Sequence, residues 1–253
     1  MKKIIKKTIK VSILGLDGAG KSTTVSYFTQ SFYNEFSIVK LGRSAYYFDR
    51  NTNEKKFLFT KLLKRIDNMF ERYEKKHSKI GIAIASIFYI IAIRWMEHKV
   101  IKKLKPDIII ASRDITIDSL IYVDYYIKFA KYIPKVIKRF IINLFCFFPK
   151  KSDLIIFLEL DPNESMKRIK KRELKDKIDP SVMRKKSRYR HENIESLIQI
   201  ANNYNDYLKN YLNKKKKQTI VFVDANKQNT KERTEFCAKV IRSFINKVKS
   251  LEK

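Results

Sequence analysis

Residues 15 to 23 read Gly15-Leu16-Asp17-Gly18-Ala19-Gly20-Lys21-Ser22-Thr23, and this stretch decides the fold. It fits the pattern G-x-x-x-x-G-K-[ST] of a phosphate-binding loop. Glycines let the backbone turn tightly and bring its N–H groups against a phosphate chain. Lys21 would place a point charge on the β- and γ-phosphates, and Ser22 would offer its hydroxyl to Mg²⁺. The stretch therefore predicts a nucleotide-binding loop formed by Gly15, Asp17, Gly18, Ala19, Gly20, Lys21, Ser22 and Thr23.

The sequence on both sides of the loop has the pattern that such a loop requires. Before it, the run 9–14 is rich in apolar and β-branched residues and predicts a buried strand. After it, apolar residues recur at helical spacing at Val25, Phe28, Phe32 and Phe36. A helix that begins at Lys21 would add the positive end of its dipole to the site. The alternative, a glycine-rich turn without a ligand, does not explain why Lys and Ser follow the last glycine in frame.

Further apolar runs alternate with helical patterns along the rest of the chain. We predict additional strands near 36–41, 107–112, 154–160 and 219–224, a loop at 46–54, and helices at 57–73, 80–104, 115–132, 134–147, 166–172, 194–212 and 230–248. Asp161, Pro162 and Glu164 are typical of a helix start with a capping box. Strands alternating with helices indicate a three-layer α/β fold in which about five parallel strands are covered by helices on both faces. We expect one domain, 1–253, with a helical excursion at about 46–105.

The charge of the chain leaves several partners open. Its 56 Lys and Arg residues against 26 Asp and Glu give a net charge of +30. Nucleic acid, an anionic membrane surface or a polyphosphorylated substrate would each suit such a charge, and so would a general bias toward lysine. The basic residues are spread along the chain rather than gathered in one block, so neither nucleic acid nor a membrane is favoured. Two cysteines without metal-ligand spacing fit a reducing compartment, and we expect a cytoplasmic protein, with peripheral membrane attachment as the alternative.

Five segments, taken in chain order, resemble segments of thymidylate kinases and the related deoxynucleoside kinases. They are the loop at 15–23, Arg94, Ser112-Arg113-Asp114, the charged stretch from Arg172 to Asp179, and Val223-Asp224-Ala225. The resemblance spans about residues 8–250. It implies a P-loop kinase that uses ATP as donor and Mg²⁺ as cofactor, accepts a nucleoside monophosphate such as thymidylate, and forms a homodimer.

The resemblance also implies roles for single residues. Arg94 would reach a phosphate of the acceptor, and a lid at about 172–180 would bring Arg172 and Lys177 to the γ-phosphate. Ala225 and Asn226 would lie beside the adenine. Arg113 stands at the carboxyl end of a central predicted strand, where open α/β sheets bind ligands, and could bridge donor and acceptor.

This sequence departs from the family after the second strand and around Arg113. The family's Glu-Pro-Gly-Gly acceptor segment is absent, and Gly42-Arg43-Ser44 stands in its place. We therefore expect Arg43, Asp17, Arg94 and Arg113 to bind the acceptor. Asp17 could instead be a turn residue that satisfies its own backbone. Ser112 occupies the position of the family's acidic residue, so Asp114, after a shift of one residue in the alignment, is the candidate metal ligand beside Ser22.

The acceptor and the assembly stay open at this stage. The missing acceptor segment leaves room for a sugar, and the net charge of +30 leaves room for a polynucleotide 5′-end. A regulatory module that binds nucleotide without transferring phosphate is a third reading, because Ser112 replaces a carboxylate. The run 80–93 is apolar nearly all round but shorter than a membrane span. It needs cover from a second copy, from the preceding helix or from an anionic bilayer.

Overall fold

The computed structural model describes residues 8–42, 45–49, 51–52, 54–75, 79–112, 114, 117, 121, 152–178, 193–208, 219–227 and 229–251. The strands in these segments are β1 (Ile9–Gly15), β2 (Ile38–Leu41), β3 (Ala45–Asp49), β4 (Glu54–Leu58), β5 (Ile108–Ala111), β6 (Leu154–Glu159) and β7 (Thr219–Asp224). The helices are α1 (Lys21–Phe32), α2 (Thr60–Lys75), α3 (Lys79–Leu104), α4 (Pro162–Ile178), α5 (Ile194–Asn205) and α6 (Thr230–Leu251). No helix within the described segments is long and apolar enough to cross a membrane.

All seven strands form one sheet in the order β4-β3-β2-β5-β1-β6-β7. Five neighbouring strands of this sheet, β2, β5, β1, β6 and β7, run parallel to one another, as predicted. β1 lies in the centre, with Val11 opposite Ile110 of β5 and Leu154 of β6. Parallel strands end at the same edge of a sheet, so the segments that follow β1, β2, β5, β6 and β7 meet at one edge. The predicted three-layer α/β class is confirmed.

The predicted loop at 46–54 is wrong, because these residues form part of a β-hairpin. β3 and β4 pair antiparallel and extend the sheet beyond β2. Tyr46 is buried, and the Lys55 Nζ lies 4.3 Å from the centre of its ring. Aromatic residues of β3 stand opposite aromatic and lysine residues of β4, with Tyr46 opposite Phe57, Tyr47 opposite Lys56 and Phe48 opposite Lys55. The excursion is therefore helical only from Thr60 onward.

Helices cover both faces of the sheet around three apolar clusters. On one face, α1 and α6 pack against β1, with Phe28 and Ile241 fully buried. On the other face, α3 packs against β2 and β5, where Met96 contacts the cluster around Ile109. The third cluster joins β6 to α5 on that same side and includes Leu197 and Tyr204.

α4 begins as predicted but runs through the predicted connector. Asp161 caps it by accepting N–H groups from Asn163 at 2.8 Å and Glu164 at 3.3 Å. Glu164 does not close a capping box, because the Asp161 N–H donates to Asn226 instead. The residues after 172 are mostly Lys, Glu, Leu and Asp without a breaker before Pro180, so the helix continues to Ile178. The predicted helices at 115–132 and 134–147 lie almost entirely outside the described residues.

Candidate active site

The loop after β1 has the backbone that close approach to a ligand requires. Gly20 has a backbone φ of +90°, which residues other than glycine rarely adopt. A Cβ on Gly15 would stand 2.5 Å from the carbonyl oxygen of Leu158 in β6, so only glycine fits there. The Ala19 N–H donates to the Leu16 carbonyl at 3.1 Å and closes the turn. The predicted loop is thus held between β1 and the start of α1.

The amino end of α1 is open to an anion. The helix begins at Lys21 with Gly20 as its N-cap, no side chain caps it, and its first turn contains no acidic residue. The first N–H groups of a helix have no partners within the helix, and they carry the positive end of its dipole. Ser22 and Thr23 are exposed in this first turn. This arrangement can bind a phosphate group through backbone N–H groups.

Lys21 lies folded over the loop. Its Nζ donates to the carbonyl oxygens of Gly15 at 2.7 Å and Leu16 at 2.8 Å, and it lies 3.3 Å from a carboxylate oxygen of Asp17. A phosphate oxygen entering the loop would replace some of these acceptors. Asp17 therefore pairs with Lys21 in this structure, and an acceptor-facing role for its carboxylate stays a prediction.

The amino end of α4 joins the loop to the segment after β7. Ser165 Oγ donates to the carbonyl oxygen of Asp17 at 2.5 Å. One helical turn later, Arg168 donates from Nε to Glu164 at 3.0 Å and from Nη2 to the carbonyl oxygen of Ala225 at 3.0 Å. The loop and the predicted adenine-side residues 225–226 are therefore brought together by α4.

Arg233 is a residue near the loop that sequence reasoning missed. It lies in the first turn of α6 and is buried. Its Nη2 is 2.5 Å from the position that a Cβ on Gly20 would take. A signal was present in the sequence: Arg233 precedes Cys237, Ile241 and Ile245 at intervals of four, which places it on the buried face of an amphipathic helix.

The predicted acceptor residues are only partly described. Gly42 and Ser112, which follow β2 and β5, adjoin at the sheet edge, since Ser112 Oγ is 3.1 Å from the position of a Cβ on Gly42. Arg43 and Arg113 lie outside the described residues. Arg94 is half-buried on α3. Their roles in acceptor binding stay predictions.

The predicted lid residues Arg172 and Lys177 lie on a helix instead of in a loop. Arg172 is exposed on α4 rather than on a connector, and Lys177 lies on the same helix with its side chain outside the described set. Residues 179–192 are likewise outside it. Lid closure by these cations stays a prediction.

Asp114 lies in a buried polar cluster. Its carboxylate accepts hydrogen bonds from Ser12 Oγ at 2.9 Å, from Ser152 Oγ and from the Ile117 N–H at 3.2 Å. Burial acts to raise the pKa of Asp114, but Lys10 and the two serine hydroxyls outweigh it and hold the pKa below its usual range. A buried carboxylate with these donors does not favour the predicted role of Asp114 as a metal ligand.

The residues that remain near the loop still suit Mg²⁺. Among the described residues, no group of three or more His, Cys, Asp or Glu could hold a metal ion. Mg²⁺ usually takes only one or two protein ligands and completes its shell with water and substrate phosphates. The exposed hydroxyl of Ser22, directly after Lys21, fits that need.

Solved structures of deoxyadenosine kinase from M. mycoides have a similar fold. The structure with products dCMP and a flexible dCDP bound matches with a TM-score of 0.61 and 20% identity, over 93% of this chain and 100% of that chain. The structures with bound dATP and bound dCTP match over the same shares, with TM-scores of 0.58 and 0.60 and identities of 18% and 19%. No protein-family model matches this sequence, and no curated protein does. The similarity shows a shared fold.

Proposed function

We propose that this chain, whose fold is that of the deoxyadenosine kinase structures, transfers the γ-phosphoryl group of ATP to the hydroxyl of a deoxynucleoside. The observation that carries the proposal is the loop after β1, with Lys21 folded over it and the uncapped amino end of α1 behind it. That combination is built to hold a phosphate chain.

Phosphoryl transfer requires mainly that the reactants be positioned and that the charge of the transition state be stabilised. Lys21 and the loop N–H groups would hold the β- and γ-phosphates, and Ser22 would hold Mg²⁺, which would supply further charge stabilisation. Arg113, with Arg43 and Arg94, would orient the acceptor. Arg172 and Lys177 would approach the γ-phosphate from α4 and exclude water from it.

A deoxynucleoside is a better acceptor proposal than thymidylate for two reasons. The Glu-Pro-Gly-Gly segment of thymidylate kinases is absent after β2. The similar structures are of a deoxyadenosine kinase, and they hold deoxynucleotides. A kinase of this type draws on cytoplasmic ATP, so the proposal includes a cytoplasmic location and a single kinase domain.

Lys21→Ala tests the donor half of the proposal. We expect transfer from ATP to fall by at least roughly 10²- to 10³-fold, because a preorganised charge on the phosphates is lost. The fold should persist, since the hydrogen bonds from Lys21 Nζ to the Gly15 and Leu16 carbonyl oxygens lie within the loop itself. Lys239→Ala, an exposed lysine of α6, is the matched control and should keep full activity. Transfer by Lys21→Ala within a factor of a few of wild type would refute the phosphate-loop assignment.

We also propose that the protein is a homodimer built on α3. Four exposed apolar side chains, Ile84, Phe88, Ile91 and Trp95, follow one another at intervals of four, three and four; we call them the α3 stripe. That spacing is the seam by which one helix packs on another. α2 also packs on α3, where Gly81 adjoins the ring of Tyr73, but the four side chains of the stripe remain exposed, so the preceding helix provides only part of the cover.

A further inference from the structure

Arg233 is a buried cation directly behind the phosphate loop. Arg233 is only 2% exposed, so its side chain does not face the open side of the site. Its Nη2 and Cζ lie 2.5 and 3.2 Å from the position of a Cβ on Gly20. The guanidinium is therefore in contact with the backbone of the residue that caps α1.

No carboxylate neutralises this charge among the residues that the structure describes. Arg233 Nε is buried without a hydrogen-bond partner. The nearby ionisable groups are Arg168, a second cation, and Cys237. Burial raises the pKa of the Cys237 thiol to about 11, so it is neutral at physiological pH. A guanidinium stays charged in proteins, and the positive charge of Arg233 is left uncompensated.

Such a charge lowers the stability of the protein whenever no anionic ligand is bound. A buried ion without a partner destabilises a fold, and here Arg168 and the amino end of α1 add positive charge around it. A polyphosphate in the loop would supply the missing negative charge. Coulomb attraction acts through the backbone of Gly20 in a medium of low dielectric constant, where it is stronger than in water.

We infer that Arg233 is a positioning residue for the donor: from behind Gly20 it supports the loop and adds positive charge, so that affinity rises with the number of negative charges on the ligand. The same charge lowers the stability of the ligand-free protein. The inference rests on the proposed function and extends it, because the phosphate-loop sequence pattern does not include a residue of α6.

The test compares Arg233→Met, which keeps length but not charge, with Arg233→Lys, which keeps the charge. Arg242→Met is the control on the same helix, since Arg242 is exposed and pairs with Glu35. Calorimetry gives the dissociation constants of ATP, ADP, adenosine and inorganic tripolyphosphate. Thermal denaturation gives the stability of each ligand-free variant.

For Arg233→Met we expect about tenfold weaker ATP and tripolyphosphate binding, a smaller loss for ADP and none for adenosine. The ligand-free variant should melt no lower than wild type. Arg233→Lys should retain most of the ATP affinity, and Arg242→Met should retain all of it.

A purely structural role predicts a different pattern. Equal losses for ATP and adenosine, or a ligand-free Arg233→Met that fails to fold, would overturn the inference. So would ATP binding equal to wild type. Failure of the proposed function is separate: the wild-type protein itself would then bind neither ATP nor tripolyphosphate.

Discussion

At the residue scale, the cluster around Asp114 governs how the fold responds to acid. Lys10 and the hydroxyls of Ser152 and Ser12 stabilise the charged carboxylate and hold its pKa below the usual range, although burial opposes them. A group whose pKa is lower in the folded state stabilises the fold above its unfolded pKa, about 3.9 for aspartate. That contribution is lost as the pH falls through the folded pKa.

Asp114→Asn should therefore lower the free energy of unfolding by about 1–3 kcal/mol at pH 7, because an amide cannot replace the carboxylate in all its hydrogen bonds. The difference from wild type should shrink below about pH 4, where the aspartate of the unfolded chain becomes protonated while the folded carboxylate keeps its charge to lower pH. Urea unfolding between pH 3 and pH 7 measures the difference in the free energy of unfolding between the variant and wild type. Asp206→Asn, at an exposed position, is the control. A difference that stays constant to pH 3 would contradict this account.

Single-residue roles could be predicted from sequence only where a local pattern carries them. Lys21 and Ser22 follow from the spacing of neighbouring glycines. The environment of Asp114 does not, since its partners Ser12 and Ser152 are 102 and 38 residues away in the chain. Arg233 lies between these cases: its burial is visible in the periodicity of α6, but its contact with Gly20 is not.

At the element scale, a buried ion pair fixes α3 against the centre of the sheet. Lys10 of β1 and Glu97 of α3 lie 2.9 Å apart, with side chains 1% and 5% exposed. The second carboxylate oxygen of Glu97 is buried without a hydrogen-bond partner. Buried pairs of this kind contribute little over an apolar pair but are costly to break from one side.

Lys10→Met should cost about 3–5 kcal/mol of unfolding free energy, because it leaves Glu97 buried and unpaired and removes the cation that stabilises Asp114. Lys10→Met with Glu97→Leu should recover at least half of that loss. The double-mutant cycle is measured by chemical denaturation. Arg242→Met, which breaks the exposed pair with Glu35, should cost less than about 1 kcal/mol. A double variant no more stable than Lys10→Met would contradict the role of the pair.

The elements that the sequence predicted are those with strong periodicity. The five parallel strands and α3 follow from apolar runs and from Pro106 after the helix. The hairpin of β3 and β4 was missed because its exposed strand is rich in lysine, and β4 stands at the sheet edge where lysine is favoured. The charged run after Arg172 predicts a connector, but charge alone does not end a helix that no proline or glycine interrupts, so α4 continues to Ile178.

At the scale of the whole molecule, the net charge opposes the proposed dimerisation and the α3 stripe favours it. Two copies that each carry +30 repel one another, whereas pairing of the stripes buries apolar surface. Salt screens the repulsion and leaves the apolar term in place. Dimerisation should therefore strengthen with ionic strength, while binding to nucleic acid or an anionic membrane should weaken.

Ile91→Asp should convert the dimer to a monomer without loss of fold, because it places a carboxylate in the middle of the stripe. Ile198→Asp, at an exposed apolar position of α5, is the matched control and should remain dimeric. Analytical ultracentrifugation at low and moderate salt measures both. A wild-type monomer at micromolar concentration would reject the dimer, and co-sedimentation with anionic vesicles would then assign the stripe to a membrane surface.

The identity of the product tests the central claim most directly. The protein is incubated with ATP, Mg²⁺ and each deoxynucleoside or deoxynucleoside monophosphate in turn, and products are identified by mass spectrometry. We predict that one or more deoxynucleosides yield their 5′-monophosphates, mole for mole with ADP, and that Lys21→Ala yields none. Release of ADP with inorganic phosphate alone, or phosphorylation only of thymidylate, would contradict a deoxynucleoside kinase.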